Sequence, residues 1–192
     1  MADHLPDAPE IEPLTRTQVL IAMAVTAIVL LLVAKGWMQL GSVPLLTVYW
    51  SLNALLLGAG LGILITLASM VVYRIWPVYQ RSADYYLQLV LRPLAWFDLL
   101  WLGLLPGLSE ELLFRGVMLP AFGFDTSGLV VSSLCFGVLH LSSPRQWPYV
   151  IWATIVGFAL GLSAIVTDNL VVPVIAHVVT NWLSSIVWKL RD

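Results

Sequence analysis

The sequence has 192 residues, 60% of them hydrophobic and only 10% charged, with a net charge of −2 and a mean hydropathy of +0.92. A water-soluble domain of this size cannot cover so much apolar side chain, so the composition calls for lipid as solvent. The lack of Lys/Arg clusters excludes the electrostatic footprint of a nucleic-acid binder, and the single cysteine, Cys135, excludes an internal disulfide and a cysteine-based metal motif.

Residues 1–15 are acidic and Pro-bearing, lack the basic start of a signal peptide, and read as a short disordered tail. Residues 17–34 carry no charge and are long enough to cross a bilayer. A second run, 45–73, also crosses, and its Gly58, Gly60 and Gly62 read as a face for close helix approach. Residues 74–85 combine Arg74, Pro77 and Arg81 with Trp and Tyr, the makeup of an interfacial loop. The stretch 86–106 is a less pure span carrying Arg92 and Asp98, expected to break at Pro106-Gly107, with a new helix starting at Ser109. Four further helices are expected over 109–122, 127–141, 147–166 and 170–188, separated by turn signals at Gly123 to Asp125, Ser142 to Pro144 and Thr167 to Asn169. The predicted fold is an all-α polytopic membrane protein of about 6 to 8 transmembrane helices. It divides into the tail 1–15, N-terminal membrane helices 16–105, and a four-helix functional core over 106–189.

A charged side chain at the bilayer centre costs roughly 2.5 to 3.5 kcal/mol on insertion scales, so each ionisable group in these helices needs a partner or a role. Three places stand out: Glu110, Glu111 and Arg115 on one helix, Phe136 and His140 at the end of the next, and His177 and Asn181 on the last. Glu111 and Arg115 are four apart and can pair on one face, while Glu110 points about 100° away and is left free. A free carboxylate in a partly desolvated cavity suits a general base that activates water. On a soluble helix the same acids would serve only the helix dipole, with Ser109 as N-cap. The chain direction expected for the helices at 109 and 141 brings Glu110 and His140 to similar depth. His177 and Asn181, one turn apart, present an imidazole and an amide to one face. Polar residues of this kind also serve as glue between membrane helices, but glue needs no carboxylate pair.

Other peptidase signatures fail: no HExxH or GxGD occurs, and Gly161-Leu-Ser163-Ala164 lacks the second glycine of GxSG. Gly157 and Gly161 read as a packing face, and Arg92 and Asp98, six apart, do not face each other.

EELLFRG, FGVLH, GFALG and TDNLVVPVIAHVVTN together contain EExxxR, FxxxH and HxxxN, complete and in order, over about residues 105 to 185. In these motifs the chain resembles the CPBP family of intramembrane proteases, which includes the CAAX prenyl endopeptidases and bacteriocin-processing enzymes. The resemblance implies hydrolysis of a peptide bond in a membrane-associated, possibly lipidated, peptide or protein substrate. It implies that Glu110 and Glu111 supply the catalytic carboxylate, Arg115 orients it, and His140 helps activate water. His177 and Asn181 would then complete a metal site or stabilise the oxyanion. Two readings stay open: His140, His177 and Glu111 could hold a catalytic zinc, or the glutamate and histidine act on water without metal, with Asn181 as oxyanion donor. A scaffold that keeps the fold without proteolysis is the competing class, and a small transporter is disfavoured because the polar residues gather in one half of the chain.

Overall fold

The computed structural model describes residues 14–191, so most of the acidic segment expected at 1–15 lies outside the described residues. α1 spans Arg16–Gly41 and begins on a capping box in which Thr15 and Gln18 satisfy each other's backbone N–H groups. An irregular strap over 42–51 leads to α2, Leu52–Ile75, capped by the Ser51 hydroxyl, which accepts from the Ala54 N–H. α3, Pro77–Leu91, follows after a single residue, and α4, Asp98–Glu111, continues without a break into a wider π-helical stretch, Leu112–Met118, and the short α5, Leu119–Ala121. α6, Thr126–Leu139, a 3-10 turn at Pro144–Gln146, α7, Trp147–Thr167, and α8, Val171–Lys189, complete the chain.

Four helical segments, Arg16–Gly41, Leu52–Ile75, Pro144–Thr167 and Val171–Lys189, are long and apolar enough to cross a membrane. Large apolar side chains on α1 and α2 point outward, Leu32 at 63% and Leu56 at 62% exposure, which is the surface a bilayer covers. The protein is an integral multi-pass membrane protein, all-helical among the described residues.

Lipid is as apolar as leucine, so close packing rather than burial must hold such helices together. α2 meets α8 at Gly58 and Gly62: a Cβ at Gly62 would lie 2.7 Å from the Ala176 carbonyl oxygen, whereas one at Gly60 would meet nothing within 4 Å. Two of the three glycines expected to form a packing face therefore do so, and Gly60 points away. α6 and α7 close in the same manner, Gly137 against Thr154 and Gly157 against Ser133. At one end of the bundle the Arg16 guanidinium grips the Asp98 carboxylate through Nε at 2.6 Å and Nη2 at 2.7 Å, joining the starts of α1 and α4. Asp98 thus has its partner on another helix, consistent with a structural role.

The boundaries differ from expectation in four places. Residues 74–85 are not a loop, because Pro77 falls at the first helical position, where its missing N–H costs nothing, and starts α3. The stretch 86–106 is not one span, since the chain turns over 92–97 around Pro93. The helix over 45–73 starts only at Leu52. Pro106 does not break its helix, and Ser109 is an interior residue rather than an N-cap. Pro106 lacks the N–H that would bond the Leu102 carbonyl, so α4 runs through it with one backbone hydrogen bond fewer.

Candidate active site

α4 carries Ser109, Glu110 and Glu111 into the centre of the bundle, and all three are buried. The π-helical stretch that follows places Arg115 beside them; such widened turns recur at functional sites. Pro120 cannot donate to the Gly116 carbonyl four residues back, and that oxygen accepts from the Leu46 N–H at 3.0 Å, so the 42–51 strap braces the widened turn. A buried residue absent from the expected set fastens the other end of the strap. Asn169 donates to the Tyr49 carbonyl at 2.7 Å and accepts from the Tyr49 N–H at 3.0 Å.

Glu111 and Arg115 are both 0% exposed, and Arg115 Nη1 donates to Glu111 Oε1 at 2.7 Å. The guanidinium also donates through Nη2 to the Gly157 carbonyl at 3.0 Å and lies 4.4 Å from the centre of the Phe136 ring. His177 reaches the same carboxylate oxygen from α8, with Nδ1 at 2.7 Å. A carboxylate only accepts, so His177 carries its proton on Nδ1. His140 caps the C-terminus of α6, and its Nδ1 meets the Phe136 carbonyl at 2.9 Å. A carbonyl also only accepts, so Nδ1 again bears the proton and Nε2 is left with its lone pair in the neutral ring. That Nε2 faces Glu110 Oε2 across 4.0 Å, and Glu110 Oε2 is buried with no hydrogen-bond partner among the described residues.

A cavity of about 600 Å³ opens beside these groups, bordered by Ser109, His140, His177 and Asn181 and extending outward to Tyr73 and Arg191. Asn181 lines it one turn beyond His177, and no described side chain takes its amide as a hydrogen-bond partner. The structure thus gathers Glu110 with His140, and Glu111 with Arg115 and His177, while Asn181 borders the cavity that the two histidines line. The set His140, His177 and Glu111 is not drawn together around one point. Glu111 Oε1 is committed to Arg115 and to His177 Nδ1, and among the described residues no three His, Cys, Asp or Glu side chains are disposed to hold an ion. As placed, these residues do not fit a zinc centre.

Two features of the site went unread in the sequence. Gly103 and Gly107 form a small-xxx-small pair that seats α4 on α8, a Cβ at Gly107 falling 2.5 Å from Val178 Cγ2, and this spacing was available as a signal. Tyr149, whose ring centre lies 6.1 Å from that of His140, has no periodic or motif signal to mark it.

A multi-pass helical bundle with His140 and His177 on a cavity between its helices defines a polytopic membrane protein with a polar site among its helices. Residues 92–183 match the profile of the family described as type II CAAX prenyl endopeptidase Rce1-like. This is the resemblance expected from the EExxxR, FxxxH and HxxxN motifs. The chain is also 30% identical over 120 residues to the "Uncharacterized protein YpbD" of Bacillus subtilis (strain 168), a match covering 62% of this chain and 61% of that protein. The alignment therefore spans less than two thirds of that relative's length. No solved structure matches the chain.

Proposed function

We propose that this protein is an intramembrane endopeptidase that hydrolyses a peptide bond of a membrane-associated substrate with a water molecule activated by Glu110 and His140. The observation that carries the reading is the 4.0 Å gap between His140 Nε2 and Glu110 Oε2, neither atom having a hydrogen-bond partner among the described residues. The gap is too long for a direct hydrogen bond, and a water bonded to both atoms at about 2.8 Å spans it with an angle near 90°. Such a water lies against the base that takes its proton as it attacks a peptide carbonyl. The carbonyl oxygen gains negative charge, which the Asn181 amide can meet with an N–H donor whatever the pH. The proton returns to the departing amine, closing the cycle.

Glu111 has the other task. Held by Arg115 and His177 and fully buried, it orients the His177 ring toward the cavity and leaves Glu110 as the carboxylate that acts on water. The description of the matched family directs the choice of substrate class to a prenylated peptide with a C-terminal CAAX sequence. The test is cleavage of a quenched fluorescent farnesylated CAAX peptide by the full chain in liposomes, with and without a zinc chelator. Loss of cleavage in Glu110→Gln and in His140→Ala is expected, together with insensitivity to the chelator. Full cleavage by either variant would overturn the assignment, and loss of cleavage with chelator alone would replace the metal-free route by a metal-dependent one.

A further inference from the structure

One wall of the cavity is a stack of aromatic rings that the mechanism above does not use. Tyr79 and Tyr86, two turns apart on α3, both stack on Tyr149 at the start of α7, with ring centres 6.2 and 4.8 Å away and planes inclined by 11° and 18°. Tyr149 in turn lies 6.1 Å from the His140 ring, and both line the cavity with His177 and Asn181. A stack of this kind fixes the plane and direction of the Tyr149 phenol. Its hydroxyl nonetheless has no hydrogen-bond partner among the described residues, whereas the Tyr73 hydroxyl, also on the cavity wall, is taken by Asp84 at 2.6 Å. A tyrosine placed only for packing ends with its hydroxyl in water or on a protein partner. Tyr149 lines the cavity beside His140, the imidazole that faces Glu110.

We infer that Tyr149 is a substrate-contacting residue: its hydroxyl donates a hydrogen bond to a backbone oxygen of the bound peptide on the His140 side of the scissile bond. The inference rests on the peptidase reading and deepens it. Asn181, on α8, approaches the cavity from a different helix, so the two donors can hold an extended peptide at two points and fix the carbonyl relative to the Glu110–His140 water. Rigid donors in place before the substrate arrives lose little entropy on binding, which is the advantage of a stacked phenol over a flexible side chain.

Tyr149→Phe removes the hydroxyl and keeps the ring, so the stack and the melting temperature in detergent should be unchanged. Its kcat/KM on the farnesylated CAAX peptide should fall about tenfold, the upper end of what one neutral hydrogen bond supplies. Binding of the same peptide to inactive Glu110→Gln, compared with Glu110→Gln/Tyr149→Phe, should weaken by a similar factor. Tyr149→Leu, which removes the stack as well, should also lower the melting temperature. Wild-type kinetics in Tyr149→Phe, with Glu110→Gln inactive, would overturn this inference and leave the peptidase reading intact. A melting temperature lowered as far in Tyr149→Phe as in Tyr149→Leu would also overturn it, by making the hydroxyl structural. Full cleavage by Glu110→Gln would instead remove the peptidase reading itself.

Discussion

Glu111 Oε1 accepts from Arg115 Nη1 and from His177 Nδ1, each at 2.7 Å, so one buried carboxylate oxygen ties the α4 end, the π-helical stretch and α8 into a single unit. Removing one partner of a buried ion pair strands the other charge, at a cost of about 3 to 5 kcal/mol. Arg115→Met should therefore lower unfolding stability in detergent by that order. Arg115→Lys should recover little, because a lysine cannot hold Glu111 and the Gly157 carbonyl at once across a planar fork. Guanidinium-free denaturation, by heat or by SDS titration, measures both, and a lysine variant as stable as wild type would show that the fork geometry is unimportant.

The two adjacent glutamates should fail in different ways. Glu110 Oε2 has no partner among the described residues, so Glu110→Gln removes a buried charge without breaking an ion pair and should leave the melting temperature unchanged or raised. Its cleavage rate should fall by roughly 10² to 10⁴, the usual contribution of a positioned base. Glu111→Gln instead frees Arg115 in the interior and should lower stability and activity together. Thermal unfolding of both variants beside their turnover separates the cases, and equal destabilisation by the two would contradict the division of roles.

The sequence made the helical membrane class legible because lipid imposes a strong compositional signal, and it made the Glu/Arg pair legible because a four-residue spacing on a helix fixes a shared face. What it obscured followed from tertiary context. Pro106 reads as a breaker in water but lies inside a continuous helix of the packed bundle, and Ser109 reads as a cap only if that break exists. The bond from Glu111 to His177 joins residues 66 positions apart, and no local pattern announces which of two neighbouring acids will receive it. Tyr149 joins the site through stacking on α3, a helix that the residues at 74–85 disguised as a loop.

The seam between α4 and α8 sets the position of His177 and Asn181 relative to the glutamates. Gly103 lies under the Trp182 ring, where a Cβ would come within 2.1 Å of Nε1, and Gly107 lies against Val178 at 2.5 Å. Gly107→Ala should push α8 outward, costing about 1 to 3 kcal/mol in overpacking and a larger share of activity, since small misplacements weaken catalysis steeply. Gly60→Ala, which meets nothing within 4 Å, serves as the comparison and should behave as wild type. Turnover in liposomes and melting in detergent read both; an active, stable Gly107→Ala would mean the seam is compliant.

Asp125 supplies the pH-dependent element outside the spans. As N-cap of α6 its carboxylate accepts from the Ser127 hydroxyl at 2.7 Å and from the backbone N–H groups of Ser127 at 2.8 Å and Gly128 at 3.4 Å. The Ser127 hydroxyl first, then the two N–H groups, hold its carboxyl below the ordinary value of 3.8. A carboxyl lowered on folding contributes stability above its unfolded pKa, and the contribution is lost as pH falls through the folded value. Asp125→Ala should therefore melt at a lower temperature than wild type at pH 7, with the difference shrinking as the pH drops below about 4. Thermal unfolding of the two proteins in detergent across pH 2.5 to 7 tests this. A difference that stayed constant over that range would show that the carboxylate's charge plays no part in starting α6, leaving the cap to geometry alone.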